Sequence, residues 1–381
     1  MIDPESHAQL RRQVNERIAA DRTLLDGLRA EIRPLRAQVT RIQPRTTTSI
    51  SLVGTDGGNN SLQFDPFLVH LVRVVDSSNN EYCLEAISPT TNVDRLSQVQ
   101  FATDGRPRSA LGELMADLGA QTLPALSHMI RPNDDGRPVS PSWVQVYREL
   151  VEWAVLYSIL KNKDFGTDTL IVYDGLLRSK VFAGDLFKRY LERMRAAIER
   201  QYQQKKRRLY LVGVAKHSKV LARYRLVMAI ERVMTTDYPA YVEVPREIEE
   251  KAYVWSEYAR GDDRELENAE INKFVSGKMF LVKFGKASRD PIWPVDVFLP
   301  QKDEAQAVLG YLLADAIDGF PVPLYPRCLQ KAHENAALVD FDFDILQDEI
   351  FAGLRSALGE QAPLLDAFRL QDADPSQRRY E

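Results

Sequence analysis

The chain has 381 residues, 44% of them hydrophobic and 27% charged, with a formal net charge of −4 at pH 7. These are ordinary values for a soluble globular protein with a sizeable core, and the negative balance argues against coating nucleic acid by bulk charge. No apolar run approaches the roughly 20 residues that span a bilayer, so a membrane-spanning protein is not expected.

Met1–His7 lacks the basic-then-apolar order of a secretory signal. Cys83 and Cys328 are the only cysteines, too few for a disulfide framework or a cysteine zinc site, and a reducing cytoplasm is expected.

Along 5–40, Leu10, Val14, Ile18, Leu24, Leu25, Leu28, Ile32 and Leu35 recur at threes and fours among Arg, Glu and Gln. That spacing predicts a long amphipathic helix or helix pair, an N-terminal arm over 1–44 that packs on the core or on a partner. Ser49-Ile50-Ser51-Leu52-Val53-Gly54-Thr55-Asp56 then reads as a strand ending on a carboxylate, with Gly57-Gly58-Asn59-Asn60 as its turn. Phe67–Val75 and Glu81–Ile87 flank Asp76-Ser77-Ser78-Asn79-Asn80, a hairpin signal that makes the first three strands an antiparallel meander.

A helix over Ser109–Leu123 should stop at Pro124. Arg131–Ser142 is a polar loop that ends with Ser142 as an N-cap. The next helix buries Val146, Leu150, Val151, Ala154, Val155, Ile159 and Leu160, with Glu149 and Glu152 inside that apolar surrounding. Thr169-Leu170-Ile171-Val172-Tyr173-Asp174-Gly175 repeats the strand-then-carboxylate pattern.

Ala183–Gln204 reads as a helix, Arg208–Val214 as a strand, and Ala215–Lys219 as the opening of another helix. The charged stretch 256–273 resembles a surface insertion. Lys278–Phe284 and Val295–Leu299 read as strands, Asp303–Ile317 and Leu329–Val339 as helices. Asp340-Phe341-Asp342-Phe343-Asp344 lacks the Gly and Glu of a calcium loop and fits an edge strand or a capped helix start. A C-terminal helix and frayed tail would occupy 346–381, after a main domain over 45–345.

Two strand-end carboxylates far apart in sequence suggest one sheet edge where both meet. Mg²⁺ and Mn²⁺ prefer such oxygen ligands, and a pair of ions roughly 3.5–4 Å apart can stabilise both oxygens of a phosphodiester displacement. Asp56, Asp174 and a helix carboxylate, Glu152 or its face-mate Glu149, form the expected set. This is the pattern of a metal-dependent nuclease with an RNase H-like mixed sheet flanked by helices.

From Gln201 to Arg225 there is no acid, while Lys205, Lys206, Arg207, Arg208, Lys216, Lys219, Arg223 and Arg225 are basic. Lys216 and Lys219 follow a buried strand at a helix start, where free N–H groups also favour phosphate. Arg207, Arg208, Lys216 and Lys219 are therefore the candidate DNA contacts. An actin-like ATPase would use Gly-Thr-Asp-Gly-Gly and Tyr-Asp-Gly as phosphate-cradling turns, but Asn59-Asn60 and Leu176-Leu177 depart from that pattern, and no Walker lysine or G-x-G-x-x-G motif is present.

Four pieces, in order, resemble the NurA nuclease family from about 46 to 340. They are Val53-Gly54-Thr55-Asp56-Gly57-Gly58; the helix Glu before Leu170–Gly175; Gly213-Val214-Ala215-Lys216-His217-Ser218; and Tyr325-Pro326 followed by Ala332-His333. The resemblance implies an RNase H-like domain, Mn²⁺-dependent DNA exonuclease and endonuclease activity, a homodimer, and a HerA-type hexameric translocase as partner in DNA end processing or antiviral defence. It makes Asp56, Glu152 and Asp174 metal ligands, with Tyr325 and His333 completing the site. In that scheme Lys216 holds a phosphate, and His333 binds metal or transfers a proton. A noncatalytic adaptor that docks on the translocase is the alternative.

Overall fold

In a computed structural model of the chain, residues 2–45, 50–64, 67–253, 274–337 and 340–361 are described, with the side chains of 50–68, 340, 341, 343, 344 and 346 left outside that description. The strands are β1 (Thr40–Arg41), β2 (Ile50–Phe64), β3 (Phe67–Asp76), β4 (Glu81–Ile87), β5 (Asp168–Asp174), β6 (Leu209–Val214), β7 (Ala240–Glu243), β8 (Gly277–Lys283) and β9 (Ile292–Phe298). These described strands form one mixed sheet in the order β1-β7-β8-β9-β6-β5-β2-β3-β4.

The expected meander is present, with β2, β3 and β4 antiparallel in sequence. β2, β5 and β6 run parallel at the centre, and β9, β8, β7 and β1 extend the sheet antiparallel. The expected turn at Gly57–Asn60 is replaced by continued strand, because Gly57 to Asn60 pair with Val74 to Leu71. A β-rich partner strand satisfies the backbone there, which outweighs the weak local preference of Gly and Asn for extended structure.

Alternation along the central strands sends side chains to two faces. Ile171 and Tyr173 join Trp153, Phe187 and Tyr190 from α6 (Trp143–Asn162) and α7 (Leu186–Lys205). Leu170, Val172, Val212 and Val214 join Leu309, Leu312, Leu313 and Leu329 from α10 (Ala305–Ile317) and α11 (Arg327–Ala336). A third cluster packs α2 (Arg22–Ile32), α8 (Lys219–Ile230) and α9 (Arg246–Ala252) on β7 and β8.

The N-terminal periodicity forms two helices. α1 (Pro4–Ala20), capped by Asp3, buries no residue, whereas α2 docks on Glu231 through Arg29 and through Arg33 just past its end.

The helix expected over Ser109–Leu123 is two. α4 (Ala110–Leu118) stops at Gly119, whose φ of +72° lies in the left-handed region that glycine adopts without penalty. Pro124 then sits in the first turn of α5 (Leu123–Leu126), where its missing N–H costs nothing. α3 (Val93–Val99) precedes them.

Ser142 does stand at the head of α6, but its hydroxyl bonds to Ser140 and caps nothing. Asp340 opens α12 (Asp340–Leu358), so the alternating acids there belong to a helix. The charged stretch 256–273 and the tail 371–381 lie outside the described residues.

Candidate active site

β5 ends on Asp174 beside the carboxyl end of β6, while β2 runs on past this level; carboxyl strand ends are where open α/β sheets form ligand crevices. Tyr325 Oη donates to Asp174 Oδ1 at 3.1 Å, and Lys216 Nζ donates to Oδ2 at 3.3 Å. Lys216 Nζ also lies 5.8 Å from the Tyr325 ring centroid. Three of the residues expected from sequence, separated by up to 151 positions, therefore meet. The Asp174 side chain is 14% exposed and that of Lys216 48%, so the ammonium faces solvent.

Each partner is held locally. Lys216 follows β6, and Ser218 caps α8 by accepting from the Leu221 N–H. Tyr325 is buried beneath Trp293, ring centroids 4.8 Å apart, and Trp293 Nε1 donates to the Leu324 carbonyl. Gln330 Nε2 reaches back to the Tyr325 carbonyl at 2.9 Å, tying the approach segment to α11.

Asp56 belongs to β2, and its side chain lies outside the described residues. Its backbone is located by register. β2 pairs with β5 up to Thr55↔Tyr173, and Asp56 opposes Val75 on the other side. One further step puts Asp56 beside Asp174, neighbouring strands being about 4.8 Å apart.

α11 lies across β2 and β3 at this point, and Asn335 Nδ2 donates to the carbonyl of Asp76, the residue opposite Thr55. His333, two residues earlier on α11, is exposed.

The helix carboxylates approach from the α6 face. Tyr173 Oη donates to Glu152 Oε2 at 3.3 Å, and Arg148 Nε stands 3.2 Å from Oε1. Glu149 accepts from Ser179 Oγ at 2.5 Å and Trp153 Nε1 at 3.4 Å. Burial pushes the Glu149 carboxyl above its ordinary value against those two hydrogen bonds. Both acids line a cleft of about 450 Å³ with Arg148, Tyr173, Gly175 and Lys180.

Glycine is required twice. Gly175 turns away from Asp174 at φ +144°, and a Cβ on Gly213 would fall 2.3 Å from the Gly175 carbonyl oxygen.

Lys219 is exposed at the start of α8, on the Lys216 side. Arg207 and Arg208 precede β6 and so sit at the opposite end of that strand. Among the described residues no three His, Cys, Asp or Glu side chains gather into a metal-holding group.

A cluster the sequence reading did not single out braces the segment after Asp174. The Arg178 guanidinium bonds both oxygens of Asp296, at 2.9 and 2.7 Å, and Glu249 at 3.0 Å. Its one sequence signal is an acid inside the apolar strand Trp293-Pro294-Val295-Asp296-Val297-Phe298.

Solved structures of NurA nucleases are similar to this chain along nearly its whole length. A crystal structure of the NurA nuclease from Sulfolobus solfataricus matches at 12% identity and a TM-score of 0.41, covering 94% of this chain and 99% of that one. NurA with manganese matches at 12% and 0.40, over 91% and 98% of the two chains. NurA bound to dAMP and manganese matches at 10% and 0.40, over 89% and 94%. No family model matches the chain, and no curated protein does. At these identities and scores, the functional reading stands on the chain's own residues.

Proposed function

We propose that this chain is a divalent-metal-dependent deoxyribonuclease with an RNase H-like core. The observation that carries the reading is Asp174, held between Tyr325 and Lys216 at the carboxyl ends of β5 and β6, one strand from Asp56 on β2. The antiparallel meander that continues into two parallel strands supports the RNase H-like part of the proposal.

The donor set suits Mn²⁺ or Mg²⁺, because Asp56, Asp174 and the helix acid Glu152 or Glu149 offer carboxylate oxygens rather than thiolates. When bound, the ion supplies positive charge at the phosphoryl oxygens.

The chain's own groups do the rest. Tyr325 fixes the rotamer of Asp174 through its hydrogen bond. Lys216, half exposed, exchanges its carboxylate partner for a phosphate of the substrate, at little cost because a solvated ion pair contributes about 0–1 kcal/mol. Lys219 adds a second cation on the same side. His333, on the helix that crosses β2, moves a proton or completes the ligand set.

The actin-like reading loses its first phosphate turn, since β2 runs on through Gly57–Asn60. The motif resemblance extends the proposal to a homodimer working with a HerA-type translocase in end processing or defence. One observation favours a docking function as second reading: α1 leaves Leu10, Val14 and Ile18 exposed.

The test is to incubate linear single- and double-stranded DNA with the protein in Mn²⁺, Mg²⁺ or EDTA, beside Asp174→Asn and Asp56→Asn. Metal-dependent degradation lost in both variants, with folding intact, is the expected result. Undiminished cleavage by Asp174→Asn removes the site, and absence of cleavage under every metal, with and without a translocase ring, leaves the adaptor.

A further inference from the structure

The amino end of β6 lies away from Asp174 yet carries its own unusual surface. Tyr202, in the last turn of α7, is 47% exposed. Between it and the start of β6 opens a cleft of about 420 Å³, lined by Ile198, Glu199, Tyr202, Arg208, Tyr210 and Glu304 among others. Lys206 Nζ lies 5.7 Å from the Tyr202 ring centroid, and Arg207 is exposed beside it. Lys205 is paired with Asp164 at 2.7 Å, whereas Arg208 stands 3.8 Å from Glu304 with 57% of its side chain exposed.

We propose that this cleft binds one nucleotide of a single-stranded nucleic acid, with the base stacked on Tyr202 and the phosphate on Lys206 and Arg207. An exposed ring beside cations is the arrangement that holds unpaired bases without reading sequence. Glu199 and Glu304 inside the cleft repel phosphate, which directs the backbone outward to Lys206 and Arg207 and the base inward. Carboxylates there accept hydrogen bonds from base amino groups.

The cleft is connected to the site end of the sheet. α7 leaves the segment after β5 and returns to the start of β6, about 30 Å for its 20 residues. Its exposed positions include Arg189, Arg193, Arg195 and Arg200 against Glu192 and Glu199. A strand engaged near Lys216 would follow this basic band to Tyr202.

The ligand class rests on the function proposed above, but the site needs no cleavage. Fluorescence anisotropy of a labelled single strand of about 30 nucleotides, long enough to cover the ~30 Å of α7, is measured with the full chain in EDTA. Tyr202→Ala should weaken binding by about tenfold or more. Tyr202→Phe, which keeps the ring, should bind like the parent. Lys206→Ala with Arg207→Ala should weaken binding and flatten its salt dependence.

Matching melting curves verify folding, which an exposed tyrosine does not support. Equal affinity for Tyr202→Ala and the parent overturns the proposal, as does a parent that binds no single strand. A protein that binds through Tyr202 yet never cleaves keeps this site and loses the nuclease. One that cleaves, with binding indifferent to Tyr202, keeps the nuclease and loses this site.

Discussion

Arg178→Ala strands two carboxylates at once. Asp296 is fully buried on β9, Glu249 keeps 12% side-chain exposure on α9, and the guanidinium that bridges them is 4% exposed. Breaking a buried pair by deleting one partner costs about 3–5 kcal/mol, because the remaining charge stays desolvated. Against a total stability of about 5–15 kcal/mol, that is a large fraction.

The loss depends on pH, with a definite sign. Burial already pushes the Glu249 carboxyl above its ordinary value, while Arg178 pulls it down. Without Arg178 the Glu249 carboxyl titrates higher still, so the variant's deficit should be greatest near pH 8 and shrink towards pH 5 as that carboxyl takes up a proton.

Urea unfolding followed by circular dichroism at both pH values measures this. At about 2.1 cal/mol/K per residue, 381 residues unfold with about 0.8 kcal/mol/K, so each kcal/mol corresponds to about 1.3 °C in Tm and a thermal loss of about 4–6 °C should accompany it. Replacing all three by apolar residues (Arg178→Met, Asp296→Leu, Glu249→Met) should recover most of the stability, since no charge is then left buried. An Arg178→Ala variant within about 1 kcal/mol of the parent at pH 8, the size of an ordinary substitution, would show that Asp296 and Glu249 are not left desolvated and unpaired.

Two further outcomes follow from the site. Gly213→Ala places a Cβ 2.3 Å from the Gly175 carbonyl oxygen and 3.0 Å from the Leu177 nitrogen, both backbone atoms. The segment after Asp174 must shift, costing about 1–3 kcal/mol, and DNA cleavage should fall further than stability; unchanged melting would show that the strands yield without strain. Glu149→Gln keeps an oxygen for Ser179 and Trp153 but removes the desolvated charge. A carboxyl raised by folding contributes stability below its unfolded pKa and loses it as pH rises, so in EDTA the variant should gain on the parent from pH 5 to pH 8. A constant difference in Tm across that range would contradict the burial assigned to Glu149.

Much of this molecule was legible in the chain itself. The β-branched run before Asp174, the apolar face of α6 and the hairpin after Asp76 are set by residues within a few positions of each other, and local propensity and periodicity read such ranges well. The strand-end position of Asp174 and the helix start after Lys216 follow from the same short-range signals.

What tertiary structure alone decided are the pairings. Gly57–Asn60 became strand because β3 offered it a ladder. Tyr325 met Asp174 because α11 folds back over the central strands. Arg207 and Arg208 went to one end of β6 and Lys216 to the other, although one basic run holds them all. The apolar run around α6 is equally silent on which glutamate is desolvated; Ser179 and Trp153 enclose Glu149, while Glu152 turns to Tyr173 and Arg148. Register, crossing and burial depend on partners a hundred residues away, and no window of the sequence contains them.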